Sequence, residues 1–318
     1  MEISVVIPVY NRGHLISKAL ESLVIQTYND FDVIIVDDGS SDNIKEIVSQ
    51  YNKKLKINYV SFPHSGNIAF LRNEGLKISD SQYIAILDSD DWCMDNRLEK
   101  QVKYMKRHPK CDILATWVSL ENDFYNENTK RLYWLYNMIN DRSEIIKRCL
   151  NDGCCICNST VLMKKDRIVE LGGYDEEMYI CEDFNLWIRA LIKNYNIDIL
   201  QEKLIVRKLH KESVTSGYNG SDLSIQFVIR NKIKYLKMTN KLKRKIVVWG
   251  VNTRNELLFK ELEMNNISEV QVIDIYNEIP IDIDTNAYHL VTTFSRRKEI
   301  FEYLNGHNLN IVKDYIYA

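Results

Sequence analysis

The sequence predicts an α/β protein in two parts: a mainly parallel sheet with helices on both faces, then a small C-terminal α/β domain. Three observations carry this. Short apolar runs alternate with segments of helical periodicity over the first hundred residues. Each of those runs ends in polar, charged or glycine-bearing residues. From 230 to 245 there are eight basic residues and no acidic one, after which a fresh strand-turn signal begins. At 318 residues the chain also exceeds what one core usually spans.

Taken in order, Ile3–Val9 is a β-rich apolar run, and Leu15, Ile16, Ala19, Leu20, Leu23 and Val24 fall at helical spacing. Asp32–Val36, Ile57–Val60 and Tyr83–Leu87 read as strands, with helices at Ser41–Tyr51, Asn67–Ile78 and Asp95–Arg107. Continuously apolar strands alternating with helices imply a parallel sheet covered on both faces, with right-handed crossovers. In the middle third, Asp112–Ser119, Ser159–Met163, Ile197–Leu200 and Lys203–Leu209 read as strands. Ser143–Leu150, Glu182–Tyr195 and Ser221–Leu236 read as helices. The second part has strands at Lys245–Trp249, Val270–Ile273, His289–Val291 and Leu309–Val312, and helices at Arg254–Met264 and Arg296–Leu304. The expected domains are 1–238 and 239–318.

The formal charge of −2 lacks the basic footprint of a nucleic-acid binder. The longest apolar runs fall well short of the ~18 residues that cross a bilayer. The N-terminus enters a strand directly, without a signal-peptide pattern. A cytoplasmic location is expected. Of seven cysteines only Cys154, Cys155 and Cys157 cluster; without a second pair they read as buried thiols rather than a zinc site.

In an open α/β sheet, ligands bind beyond the carboxyl ends of the strands. There lie Tyr10-Asn11-Arg12, then Asp37-Asp38-Gly39-Ser40, then His64-Ser65-Gly66, then Asp88-Ser89-Asp90-Asp91. The acidic run fits a hard divalent cation bound together with a diphosphate, or else a helix cap by Asp90 or Asp91. Asp37 and Asp38 suit hydrogen bonds from a base or ribose, or an Asx turn. His64-Ser65-Gly66-Asn67 precedes a helix start that could meet phosphate. Arg72 suits phosphate, or is a solvated charge.

Five motifs together resemble family 2 glycosyltransferases of the GT-A fold. They are Ser4–Arg12, Asp37–Asp42, His64-Ser65-Gly66 with Leu71–Gly75, Tyr83–Trp92, and Gly172–Glu176 followed by Glu182-Asp183. The resemblance implies an inverting transfer of a sugar from a UDP-sugar donor to a hydroxyl of a glycan or lipid-linked saccharide. It implies Mn²⁺ or Mg²⁺ as cofactor, with Asp90 as its ligand, Asp88 on the ribose or a metal-bound water, and His210 at the metal or diphosphate. Pro8, Tyr10 and Arg12 would line the nucleotide pocket. Asp38 would contact uracil with Asp37 beside it. His64, Gly66, Arg72 and Ser89 would complete the donor site. Asp183 would be the general base, next to Glu182, whose bland reading is helix capping. The family's usual small residue before the arginine is Leu71 here.

The aromatic-rich stretch 122–140, with Tyr125, Tyr133, Trp134 and Tyr136, could be an acceptor loop or core. Val247–Asn252 has one of the three glycines of a dinucleotide fingerprint, so no working dinucleotide site is expected there. A structural, dimerising or partner-docking role is expected instead, with a homodimer one form of it. The basic stretch could meet an anionic membrane at its inner face, or be a solvated linker. A nucleotidyltransferase and a non-catalytic scaffold are the rival readings.

Overall fold

The computed structural model describes residues 1–122, 127–139, 141–210, 221–252, 254–275, 279, 282–293 and 295–318. It forms two compact units: Met1–Arg142 with Cys154–Gly217, and Ser143–Gly153 with Tyr218–Ala318.

The first unit holds strands β1 (Ile3–Val9), β2 (Phe31–Asp37), β3 (Ile57–Ser61), β4 (Tyr83–Ile86), β5 (Trp92–Cys93), β6 (Ile113–Asn122), β7 (Leu162–Lys164) and β8 (Ile197–Leu209). Their order is β3-β2-β1-β4-β7-β6-β8-β5. The first four are parallel, β7 is antiparallel to both neighbours, and β6 and β8 run parallel. Helices α1 (Gly13–Val24), α2 (Ile44–Ser49), α3 (Ile68–Ile78), α4 (Arg97–Arg107), α5 (Glu127–Asn137), α7 (Lys165–Glu170) and α8 (Glu182–Ile192) accompany them. This is the mainly parallel α/β architecture that the alternating pattern predicts.

The core explains the positions of the strand ends. Ile3, Val5, Val6, Ile7, Val33 and Ile35 are fully buried, each contributing about 1.5–3 kcal/mol. A Cβ at Gly75 would lie 2.4 Å from Val6 Cγ1, so glycine lets α3 approach β1 closely. Arg97 is fully buried and donates to the carbonyls of Ile86 (3.0 Å) and Val161 (3.2 Å). It thereby satisfies the backbone where β4 gives way to the acidic turn.

Several elements depart from the sequence reading. Residues 197–209 are one strand, carried past irregular register near Trp117. Residues 158–160 are a 3₁₀ turn ahead of a three-residue strand. The aromatic stretch contains α5; Tyr133 and Trp134 are exposed there, whereas Leu135 is buried. Tyr125 lies outside the described residues.

The second unit takes α6 (Arg142–Asn151), apart from its first residue, and α9 (Asp222–Met238), β9 (Ile246–Trp249), α10 (Arg254–Met264), β10 (Val270–Ile273), β11 (Tyr288–Val291), α11 (Arg297–Gly306) and β12 (Tyr315–Tyr317). Its sheet is wholly parallel, in the order β10-β9-β11-β12. The last strand is Tyr315–Tyr317 and not 309–312, where only an isolated bridge from Ile311 forms. The units part at 217/218 rather than 238/239 because the basic helix belongs to this unit's core. Arg230 pairs with Glu261 (3.1 Å), and Lys232 donates to the Tyr317 carbonyl (2.7 Å). Arg244 pairs with Asp314 (3.0 Å), and Lys245 lies 3.6 Å from Asp284. Half of the basic run is thus engaged inside the unit, against the solvated-linker reading. Among the described residues no helix is long and apolar enough to cross a membrane.

Candidate active site

The loops after β1, β2 and β3 hold one another. After β2 the chain turns at Gly39 (φ 73°), where a Cβ would lie 2.9 Å from both His64 N and Phe62 O. Only glycine meets both demands. Asp37 is 2% exposed, and its carboxylate accepts from Ser40 N–H (3.1 Å) and hydroxyl (2.5 Å), Tyr59 hydroxyl (2.6 Å) and Ser61 hydroxyl (3.2 Å). Its oxygens are engaged by these protein donors, and Asp37 builds the turn. Asp38 is equally buried and accepts from Ser65 N–H (2.8 Å), Ser65 hydroxyl (2.7 Å) and Gly66 N–H (2.8 Å), with His64 Nδ1 at 2.9 Å. It fixes the loop in which Gly66 takes φ 65°.

Tyr10, 41% exposed, stacks on His64 with centroids 4.0 Å apart and planes 14° from parallel. They form a flat aromatic pair at the sheet edge. Arg12 begins α1, its carbonyl accepting from Leu15 and Ile16 N–H. Pro8 is buried within β1 opposite Val36, two residues past the last registered pair with β4, rather than facing the loops. There a missing N–H costs no ladder bond to β4. The amides after β1 are committed: Asn11 N–H donates to Ser40 Oγ (2.8 Å) and Gly13 N–H to Asp42 Oδ2 (2.8 Å).

After β4, Asp88–Asp91 close a turn through Asp91 N–H donating to the Asp88 carbonyl (3.0 Å). Asn96, not Asp90 or Asp91, precedes α4, which removes the capping reading. Asp90 Oδ2 lies 3.0 Å from His210 Nε2 on the residue after β8. Residues 211–213, which follow His210, lie outside the described residues. Asp91 is 2% exposed and accepts from Lys208 N–H (3.0 Å). Burial, then the charges of Asp90 and Asp88, hold its carboxyl well above the usual range. Ser89 is buried.

Among the described residues no three His, Cys, Asp or Glu side chains group as a self-sufficient cation cage. Asp90 and His210 do converge, and Asp88 is held elsewhere. One carboxylate and one imidazole fit a divalent cation whose remaining positions would be taken by phosphate oxygens and water.

Arg72 joins this turn to α8. It is 2% exposed, donating to Asp88 Oδ1 (2.8 Å) and to Glu182 Oε1. Burial alone would lower its pKa; Asp88 and Glu182 outweigh that and raise it. It is therefore no solvated surface charge. Glu182 opens α8 after Cys181, whose φ is 62°. Burial pushes Glu182 up to about 7, opposed by Arg72 and reinforced by Asp183. Its carboxylate is engaged by Arg72. Asp183 accepts from Phe184 N–H (2.6 Å), and its other oxygen lies 3.7 Å from Cys154 Sγ. Burial raises its pKa, though Arg72 and the Phe184 N–H pull it down.

Three residues escaped sequence reasoning. Asn73 clamps the Gly173–Tyr174 turn: its Oδ1 accepts from Tyr174 N–H (2.8 Å), and a Cβ at Gly173 would lie 2.5 Å from that oxygen. Arg207 donates to Tyr136 hydroxyl (2.8 Å) and faces Asp91 and Asp88. Cys154 approaches Asp183. Asn73 carried a signal in its place directly after Arg72 in a motif, and Cys154 in its cysteine cluster, where the buried-thiol reading holds for Cys155 and Cys157 but not for Cys154, which is partly exposed.

A family model, Glycosyl transferase family 2, matches residues 4–168. An uncharacterized glycosyltransferase of Methanocaldococcus jannaschii is 32% identical over 64% of this chain and 69% of its own length. The Escherichia coli UDP-Glc:alpha-D-GlcNAc-diphosphoundecaprenol beta-1,3-glucosyltransferase WfgD is 28% identical over 68% of this chain and 80% of its length. The crystal structure of S. aureus TarS with UDP-GlcNAc superposes with a TM-score of 0.62 at 20% identity, covering 82% of this chain and 72% of that one.

Proposed function

The chain belongs to glycosyl transferase family 2 and is a nucleotide-sugar glycosyltransferase, and from that premise we propose an inverting enzyme that uses a UDP-sugar and a lipid-linked saccharide acceptor. The observation that carries it is one connected set of side chains. Asp90 with His210 is joined, through the acidic turn and the Asp88–Arg72–Glu182 bridge, to Asp183 on α8. The bridge sets the distance between the leaving-group side and the acceptor side.

Asp183 is the general base. Its oxygen near Cys154 accepts the proton of the acceptor hydroxyl as the hydroxyl oxygen attacks the anomeric carbon and the bond to the diphosphate breaks. Attack from the side opposite the diphosphate inverts the centre, and one carboxylate suffices, unlike the paired carboxyls of a glycosidase. Asp90 and His210 would hold the divalent cation, which when bound would stabilise the charge developing on the diphosphate. Tyr10 and His64 offer a flat face to the uracil, on a loop that Asp38 keeps in place. Arg72 orients Asp88 and Glu182.

The donor class draws on the UDP-sugar names of WfgD and of the TarS complex, and the acceptor class on the diphosphoundecaprenol-linked substrate in the name of WfgD. With such an acceptor the reaction would take place at a membrane surface, and the inner face is the location we propose. A nucleotidyltransferase is disfavoured because the loop after β1 spends its amides on Ser40 and Asp42 instead of presenting them to phosphate.

The test is melting of the protein with UDP, GDP, CDP or ADP, with and without Mn²⁺, on wild type, Asp90→Ala and His210→Ala. Ligand binding only the folded state raises the melting temperature. UDP with Mn²⁺ should stabilise wild type alone. Equal stabilisation of both variants would remove the metal assignment, and a response to GDP instead would remove the donor class.

A further inference from the structure

Cys154 and Cys181 are partly exposed, whereas the other five cysteines are buried. The Cys154 sulfur stands between two acceptors, the Ile156 carbonyl at 3.3 Å and Asp183 Oδ2 at 3.7 Å. A thiol carries one hydrogen, so it serves one of them at a time. Asp183 Oδ1 is already held by Phe184 N–H at 2.6 Å. The oxygen beside Cys154 is the one left for an acceptor's proton.

We propose that Cys154 is a positioning residue for the base: its S–H holds the reactive oxygen of Asp183 and turns to the Ile156 carbonyl when the acceptor hydroxyl arrives. The inference rests on Asp183 being the base. A thiol suits the task because it is a weak donor. It orients the carboxylate yet gives way to a hydroxyl at little cost. A serine there would bind the ionised oxygen more strongly and make it a poorer proton acceptor. Other groups face Asp183: Arg72 from α3, Arg207 from β8, Asp88 from the acidic turn, Glu182 and Cys181 beside it, and the Tyr136 and Tyr174 rings. These side chains are the same in every Cys154 variant, and Tyr136, which also faces the thiol, is common to the serine and alanine proteins, so the difference between those two reports the contact at position 154.

The experiment is the pH dependence of kcat/KM for sugar transfer by wild type, Cys154→Ser and Cys154→Ala. Hydrogen bonding to the ionised form lowers a carboxyl pKa. The acidic limb should move down for serine and up for alanine, by about half a pH unit each. The serine variant should also show a plateau about threefold lower. Coincident limbs, or a serine limb above the alanine limb, would overturn the proposal.

A second measurement does not depend on Cys154 variants folding. Iodoacetamide labelling of Cys154, followed by peptide mass spectrometry, is compared in wild type and Asp183→Asn. The thiolate is the reactive form, and removing the adjacent anion should speed labelling about threefold to tenfold. An unchanged rate refutes the contact. If Asp183→Asn keeps full transfer, the base assignment fails. If it is inactive while the limbs coincide, the Cys154 inference fails by itself.

Discussion

Replacing Arg72 by methionine removes a cation that is 2% exposed and bridges two carboxylates. Deleting one partner of a buried pair typically costs about 3–5 kcal/mol, because the other charge is stranded. Two acceptors are stranded here, and they are not equal. The Asp88 side chain is 31% exposed and can be rehydrated, whereas that of Glu182 is 10% exposed. Glu182 therefore sets the loss, at about 3–4 kcal/mol. At about 2–4 °C per kcal/mol, melting should fall by about 10 °C. The sign with pH follows from Glu182. Burial already pushes its carboxyl above the ordinary 4.5 to about 7, and Arg72 opposes that rise. Without Arg72 the folded pKa climbs further. A carboxyl raised in the folded state binds more protons folded than unfolded, so stability falls as pH rises from the unfolded pKa through the folded one. Arg72→Met should melt nearest to wild type at about pH 5 and furthest from it above about pH 7. The double variant Arg72→Met/Glu182→Leu removes the stranded group and should recover most of the stability. It should not recover transfer, because Asp88 and the start of α8 are no longer tied together. Calorimetry across this pH range, with UDP-sugar turnover, makes the test. A single variant melting within about 2 °C of wild type at high pH, or a double variant with wild-type turnover, would refute the bridge.

Asp183→Asn should lower kcat by about 10²–10⁴-fold while UDP still stabilises the protein. Burial raises the Asp183 carboxyl and the base must be ionised, so the acidic limb of wild-type kcat/KM should lie above the ordinary aspartate range of 3.8. Gly39→Ala places a Cβ 2.9 Å from two backbone atoms at φ 73°; urea unfolding should show a loss of about 1–3 kcal/mol, and UDP titration a weaker donor site. In the second unit, Trp249 Nε1 donates to His289 Nδ1 (3.0 Å), and burial holds the His289 pKa below 6.5. The neutral ring is the folded form, so its contribution is present above pH 6.5 and lost as pH falls below it. The melting transition should decline over that interval, and His289→Gln should flatten the decline.

Much of this fold was legible because its strands are buried on both faces, so Ile3–Val9 and Asp32–Val36 read as largely apolar runs, and the structure has strands at Ile3–Val9 and Phe31–Asp37. Periodicity could not choose between 309–312 and Tyr315–Tyr317 for the last strand, since both are short and apolar; pairing with β11 made that choice. The same limit applied at the site. Motif spacing placed Asp37, Asp38, Asp88, Asp90, Glu182 and Asp183 at one sheet edge, but not which carboxylates stay available for chemistry. That is decided by donors arriving from elsewhere in the chain. Tyr59 and Ser61 on β3 claim Asp37, and the amides of Ser65 and Gly66 claim Asp38. Arg72 takes Asp88 and, across 110 residues of sequence, Glu182. Asp90 is left facing an imidazole that can itself ligate a cation, and Asp183 facing a thiol, the weakest donor in the set. The two carboxylates to which we assign the chemistry, Asp90 and Asp183, are thus told apart from the others by the fold's contacts and not by the order of acidic residues along the chain.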